Sequence, residues 1–94
     1  MKTFNLARVD TVIAEVDARW GEPCSACSVP VLGHEVVLSL LVGRTGDARC
    51  GPCLADGVDR EFDEFLRHAL AHVQRLAGYR AAWIHSDRRL AAER

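Results

Sequence analysis

Four cysteines confine what this chain can fold into. They stand as Cys24-Ser25-Ala26-Cys27 and Cys50-Gly51-Pro52-Cys53, separated by twenty-two residues, and there are no others. Two residues between cysteines let both sulfurs point into one space while the intervening amides turn around them, the geometry of a metal knuckle. Two such pairs supply four soft ligands, and the spacer is long enough to bring them to one ion. A chain of 94 residues buries only about 60–65% of the surface it exposes when unfolded, so a metal or cross-link weighs heavily in its stability. The expectation is one structural zinc ion held by Cys24, Cys27, Cys50 and Cys53, with iron as the other metal that four thiolates suit.

Composition supports a packed, soluble chain. About half of the residues are apolar and a quarter are charged, as in ordinary globular proteins. The formal net charge is −1, with eleven arginines and one lysine scattered along the sequence, so no basic field draws in nucleic acid or anionic lipid. The longest apolar segment, Val36 to Val42, is interrupted by Ser39 and is far too short to cross a membrane. Nothing at the N-terminus has the make-up of a cleaved leader. A cytoplasmic location follows, and in a reducing cytoplasm paired cysteines serve as metal ligands more readily than as disulfides.

Along the chain, residues 11–20 fit two periods. Leu6, Val9, Ile13, Val16 and Trp20 make a helical stripe, whereas Val12, Ala14, Val16, Ala18 and Trp20 alternate with charged residues as a half-buried strand would. The β-branched content favours the strand. The apolar run Glu35 to Val42, bounded by Gly33 and Gly43, reads as a buried strand. Gly43 to Asp47 is turn material, and a short strand from Ala48 to Cys50 closes a β-hairpin. After Cys53 the pattern becomes helical. Asp56 or Asp59 can cap, and Phe62, Phe65, Leu66, Ala69, Leu70, Val73, Leu76 and Ala77 recur as one broad apolar stripe. Gly78 stands where a helix ends or bends before Tyr79 to Glu93.

This order of knuckle, hairpin, second pair and helix resembles the treble-clef zinc fingers, in which the second pair opens the helix, and more loosely the zinc ribbons. The resemblance covers residues 24 to about 77. It implies that the four cysteines are ligands and implies no activity. The expected fold is a small α+β domain spanning residues 1–94, β-rich over 1–53 and helical over 54–94 as two helices or one kinked helix.

Two other resemblances concern single stretches. Cys50-Gly51-Pro52-Cys53 is similar to the active-site tetrapeptide of thioredoxin-like oxidoreductases, although Arg49 stands where those enzymes usually have Trp. Val16-Asp17-Ala18-Arg19, Cys24 and Pro30-Val31 resemble the opening strand and cysteine loop of small bacterial sulfur carriers. There the cysteine is followed at once by Pro-x-Pro, whereas Cys24 is followed by Ser25-Ala26-Cys27.

His68 and His72, with Glu64 and Glu61 one and two turns earlier, have a spacing that can grip a second metal, but they are read as a solvated charged face with local Glu–His pairing. His34 and His85 carry no spacing argument. Trp20 and Trp83 are expected in the core, and Arg88, Arg89 and Arg94 on a solvated basic end. No Ser-His-Asp order, paired-carboxylate cleft or phosphate-binding glycine loop can be assembled. The sequence therefore suggests a non-enzymatic, zinc-stabilised interaction module, whose residues 58–92 face a partner protein or a second copy of the chain. Thiol redox or sulfur transfer through the Cys-x-x-Cys thiolates is the alternative, and a nucleic-acid-binding finger a further one.

Overall fold

The computed structural model describes residues 9–44 and 47–93. Five helices follow one another: α1 (Val9–Arg19), α2 (Gly33–Leu41), α3 (Gly51–Gly57), α4 (Phe62–Arg75) and α5 (Ala77–Ala92). Among the described residues there is no strand or sheet, only an isolated antiparallel bridge between Pro23 and Pro30. The expected α+β architecture is therefore wrong. Both the strand over 11–20 and the hairpin over 35–50 are replaced by helices and connecting loop, and the β-rich reading of 1–53 goes with them. Leu6 lies outside the described residues, as do Thr45 and Gly46 of the turn and Arg94 of the basic end.

The run Val36 to Leu40 is buried on every side because α2 is central. It packs against α1, α3, α4 and α5, and Val36, Val37, Leu38, Ser39 and Leu40 are all buried. A helix surrounded by others needs no polar face. As a strand the same segment would need a partner along its whole length, and Ala48 to Cys50 is too short to be one. A helix instead satisfies its backbone groups internally. The full set of β-propensities spans only about 1 kcal/mol, whereas each buried Val or Leu contributes roughly 1.5–3 kcal/mol, so packing overrides the β-branched signal.

In α1, Val12 and Val16 are fully buried one turn apart, while Ala14 and Ala18 are exposed. The helical period was the operative one. Val12, Val16, Val36, Val37, Leu40, Val73, Tyr79 and Ala82 form one core cluster that includes Cys24 and Cys50. Leu38, Leu54, Ala55, Phe65 and Ala69 form a second between α2, α3 and α4, and Leu41 and Trp83 touch both.

Residues 54–93 hold the end of α3 followed by two further helices, α4 and α5, rather than two helices or one kinked helix alone. The break falls at Leu76, a single extended residue (φ −107°, ψ 117°), and Gly78 is buried in the first turn of α5. Neither Asp56 nor Asp59 caps a helix: Cys50 precedes α3, Glu61 precedes α4, and Asp59 takes a left-handed conformation (φ 59°) in the link. Trp20 and Trp83 pack partly buried against the core but not on each other. The Arg89 guanidinium lies over the Trp20 ring, 4.4 Å from its centroid, and His34 meets Trp83 edge-on at 4.6 Å.

Candidate metal centre

The first cysteine pair sits in a tight loop between α1 and α2. Gly21, left-handed at φ 86°, turns the chain out of α1. The Gly21 amide then donates to the Val31 carbonyl at 2.9 Å, and Val31 returns a bond to Glu22. Inside this bracket the Cys24 amide donates to Val29 O and the Ser28 amide to Cys24 O, both at 2.8 Å. Ser28 is left-handed (φ 70°), a conformation that costs a non-glycine residue about 1–2 kcal/mol and that closes the loop around the sulfurs.

The second pair opens the seven-residue helix α3, without the β-hairpin that the treble-clef resemblance requires among the described residues. Cys50 precedes the helix and Cys53 lies in its first turn, with Pro52 at a position where a missing amide costs nothing. The Ser25 amide donates to Ala48 O at 3.1 Å, tying one loop to the other. Outside this tie, the Ser25 hydroxyl donates to Asp47 at 2.6 Å and accepts from Arg49 Nε at 3.1 Å. Arg44 pairs with Asp47 at 3.2 Å.

These two loops bring all four sulfurs within 4.8 Å of one another. Cys27 Sγ and Cys50 Sγ are 3.6 Å apart. A tetrahedral ion with metal–sulfur distances of about 2.3 Å requires sulfurs roughly 3.8 Å apart, whereas a disulfide requires about 2.05 Å. The cysteines are free. Cys24 and Cys50 are buried, Cys53 is half-buried and Cys27 is exposed, so the cluster lies at the edge of the core with one corner towards solvent.

Thiol charge is unevenly distributed. Burial opposes ionisation of Cys24, but the backbone amides of Cys50, Ala26 and Cys27 together outweigh it and bring this thiol down to about 6. Burial pushes the Cys50 thiol up. The neighbouring side chains of Cys50 and Cys27, followed by burial, push Cys53 up to about 12. Four sulfurs this close cannot all carry charge on their own. A divalent cation reverses the balance, because coordination deprotonates a thiol outright. The donor set fits a thiophilic ion.

Among the described residues, these four cysteines are the only group of three or more His, Cys, Asp or Glu side chains whose ligand atoms converge. His68 and His72 are exposed on α4 and join no such group, and Glu64 pairs with Arg60 at 2.8 Å. His34 and His85 bond to carboxylates of the helical body, Asp87 at 2.6 Å and Asp17 at 2.9 Å. Arg89 also binds Asp17, at 3.0 Å. Val16 to Arg19, offered by the sulfur-carrier comparison as a strand, is the last part of α1.

Sequence reasoning missed Glu35 and Ser39 on α2. Glu35 accepts from the Leu32 amide at 2.9 Å and from the Gly51 amide at 2.5 Å. The Ser39 hydroxyl accepts from the Arg49 amide at 3.0 Å and donates to Glu35 O at 2.8 Å. A serine inside an apolar run was the available signal, since a buried hydroxyl needs a partner.

A scan against protein-family models finds no match, and searches of curated proteins and of solved structures find no similar chain. Among the described residues, no helix is long and apolar enough to cross a membrane.

Proposed function

We propose that the chain is a non-enzymatic, zinc-stabilised helical module in which Cys24, Cys27, Cys50 and Cys53 hold one structural zinc ion. The observation that carries this reading is the convergence of two loops on a cluster whose four sulfurs lie within 4.8 Å of one another, with one pair 3.6 Å apart. Zinc is favoured over iron because a closed set of four thiolates suits an ion with a structural task and no redox change. The ion would join the loop after α1 to the start of α3. A reducing compartment such as the cytoplasm keeps these thiols available.

The ion leaves the helical surface of residues 58–92 as the face offered to a partner protein or a second copy. Val58, Phe62, Leu76 and Ile84 are exposed there. A net charge of −1 argues against nucleic acid as that partner.

Thiol redox or sulfur transfer is the second reading, favoured by the position of Cys50 and Cys53 at the start of α3. A reactive thiolate at such a place draws on the free amides of the helix. Here the Gly51 amide is bonded to the Glu35 carboxylate, and the Cys50 thiol is pushed up rather than down. The Ser25 hydroxyl beside the first pair donates to Asp47 and accepts from Arg49, and no histidine is bonded to it.

Metal content and thiol accessibility of the purified chain decide between the readings. One zinc per chain with slow labelling of all four cysteines is expected. Metal-free protein with one rapidly alkylated cysteine would sink the structural reading in favour of the second.

A further inference from the structure

We propose that Glu35 and Ser39 are positioning residues of the metal centre: α2 contributes no cysteine, yet one of its faces fixes the backbone around Cys50 and so aims the second pair. The inference rests on the reading of the four cysteines as metal ligands.

Two amides, one on either side of Cys50, carry it. The Arg49 amide donates to Ser39 Oγ at 3.0 Å, and the Gly51 amide donates to Glu35 Oε2 at 2.5 Å. These two amides flank Cys50, so the backbone on both sides of this ligand is held by α2. Glu35 and Ser39 are four residues apart and so lie on one face of α2. They are also joined, since Ser39 Oγ donates to Glu35 O.

An ordinary helix cap does not explain this arrangement. A glutamate three residues into a helix commonly turns back to the amide that precedes it, and Glu35 does so through Oε1 to Leu32. Its second oxygen reaches an amide sixteen residues further along the chain. Leu32 offers no side-chain oxygen in return, so the reciprocal half of a capping box is missing. The carboxylate is a clamp between two elements, and its second grip falls on the residue after a ligand. Groups that orient ligands in this way commonly change metal affinity by about 10–100-fold when removed.

The test uses the full chain with E35Q, S39A and, as a control, E64Q, whose carboxylate pairs with Arg60 on the surface. Glutamine keeps the volume of Glu35 but has one carbonyl oxygen, so it cannot accept from both amides. Zinc affinity is measured by chelator competition, the ligand field by the visible spectrum of the cobalt-substituted protein, and the fold by circular dichroism. E35Q and S39A are expected to retain helicity, bind zinc about 10–100-fold more weakly and show an altered cobalt d–d envelope, while E64Q matches the parent. Folded E35Q and S39A with parental affinity and spectrum would overturn the proposal. Sulfur-to-cobalt charge-transfer bands in the parent would still uphold the four-cysteine site in that case, and a parent lacking them would remove both. If S39A does not fold, E35Q alone decides, because Glu35 is only half-buried.

Discussion

Gly33 is where the packing leaves least room, and Gly33→Ala measures how tightly α1, α2 and α5 are locked together. A Cβ on Gly33 would stand 2.5 Å from Trp20 Cε3, 2.6 Å from Ser86 Oγ and closer still to Trp20 Cζ3. Neither neighbour is free to give way. The Trp20 ring lies beneath the Arg89 guanidinium, and Ser86 is fully buried with its hydroxyl bonded to Ala82 O at 2.8 Å. Overpacking of this kind costs about 1–3 kcal/mol, and the site belongs near the top of that range. Alanine returns at most about 1 kcal/mol through helix propensity, leaving a net loss of about 2 kcal/mol. For a chain of this size that lowers Tm by roughly 8–16 °C. Gly51→Ala supplies the contrast. The three atoms nearest its Cβ all belong to the Phe62 ring, which is 39% exposed and can swing outward, so a loss below about 1 kcal/mol is expected. Thermal and urea unfolding of zinc-saturated protein, followed by circular dichroism, give both values. A cycle with Trp20→Ala isolates the contact with that ring, and Gly33→Ala should cost less once the ring is gone, with the 2.6 Å approach to Ser86 Oγ remaining. A Gly33→Ala protein within about 0.5 kcal/mol of the parent, the scale of a neutral surface change, would refute the reasoning, as would an undiminished loss in the Trp20→Ala background.

Tyr79 is fully buried and its hydroxyl has no hydrogen-bond partner among the described residues, so Tyr79→Phe should be neutral or stabilising by up to about 1 kcal/mol in urea unfolding; a clear loss would show that the hydroxyl is partnered. Asp17 is held below its ordinary value of 3.8 by the hydrogen bond from His85, which outweighs partial burial, and further by Arg89. Its contribution is present above that value and lost as pH falls through the lower folded one; because its side chain is 46% exposed, Asp17→Asn should cost under about 1 kcal/mol at neutral pH. The cost should shrink towards pH 3 in unfolding midpoints, and an unchanged difference would contradict the assignment. Chelating the metal should accelerate amide hydrogen exchange in residues 21–32 and 47–53 well before α1 and α5, and uniform protection with and without chelator would argue that the ion holds nothing in place.

What could be read from the sequence follows from how local its cause is. Cys-x-x-Cys spacing is a local constraint, and the four sulfurs meet as it indicates. The stripe from Phe65 to Val73 belongs to an amphipathic helix with one wet face, and α4 is present. The central helix α2 defeats the same method because its surroundings are not local. Four neighbours cover Val36 to Leu40, so even its one polar residue, Ser39, is buried and marks no wet face, and a short apolar run is compatible with strand or helix alike. In α1 the small, exposed Ala14 and Ala18 mimicked an alternating strand pattern, while the pair that matters, Val12 and Val16, was spaced for a helix. The break at Leu76 was displaced to Gly78 because glycine is the usual signal of a helix end, whereas here it lies buried inside α5. Glu35 and Ser39 were invisible as part of the site because their partners, the amides of Gly51 and Arg49, lie sixteen and ten residues away.

X-ray absorption at the zinc edge of the purified chain tests the central claim most directly. The account predicts one zinc per chain with four sulfur neighbours at about 2.3 Å and no lighter atom in the first shell. A first shell containing nitrogen or oxygen, or a chain that carries no zinc and forms a Cys50–Cys53 disulfide, would contradict it.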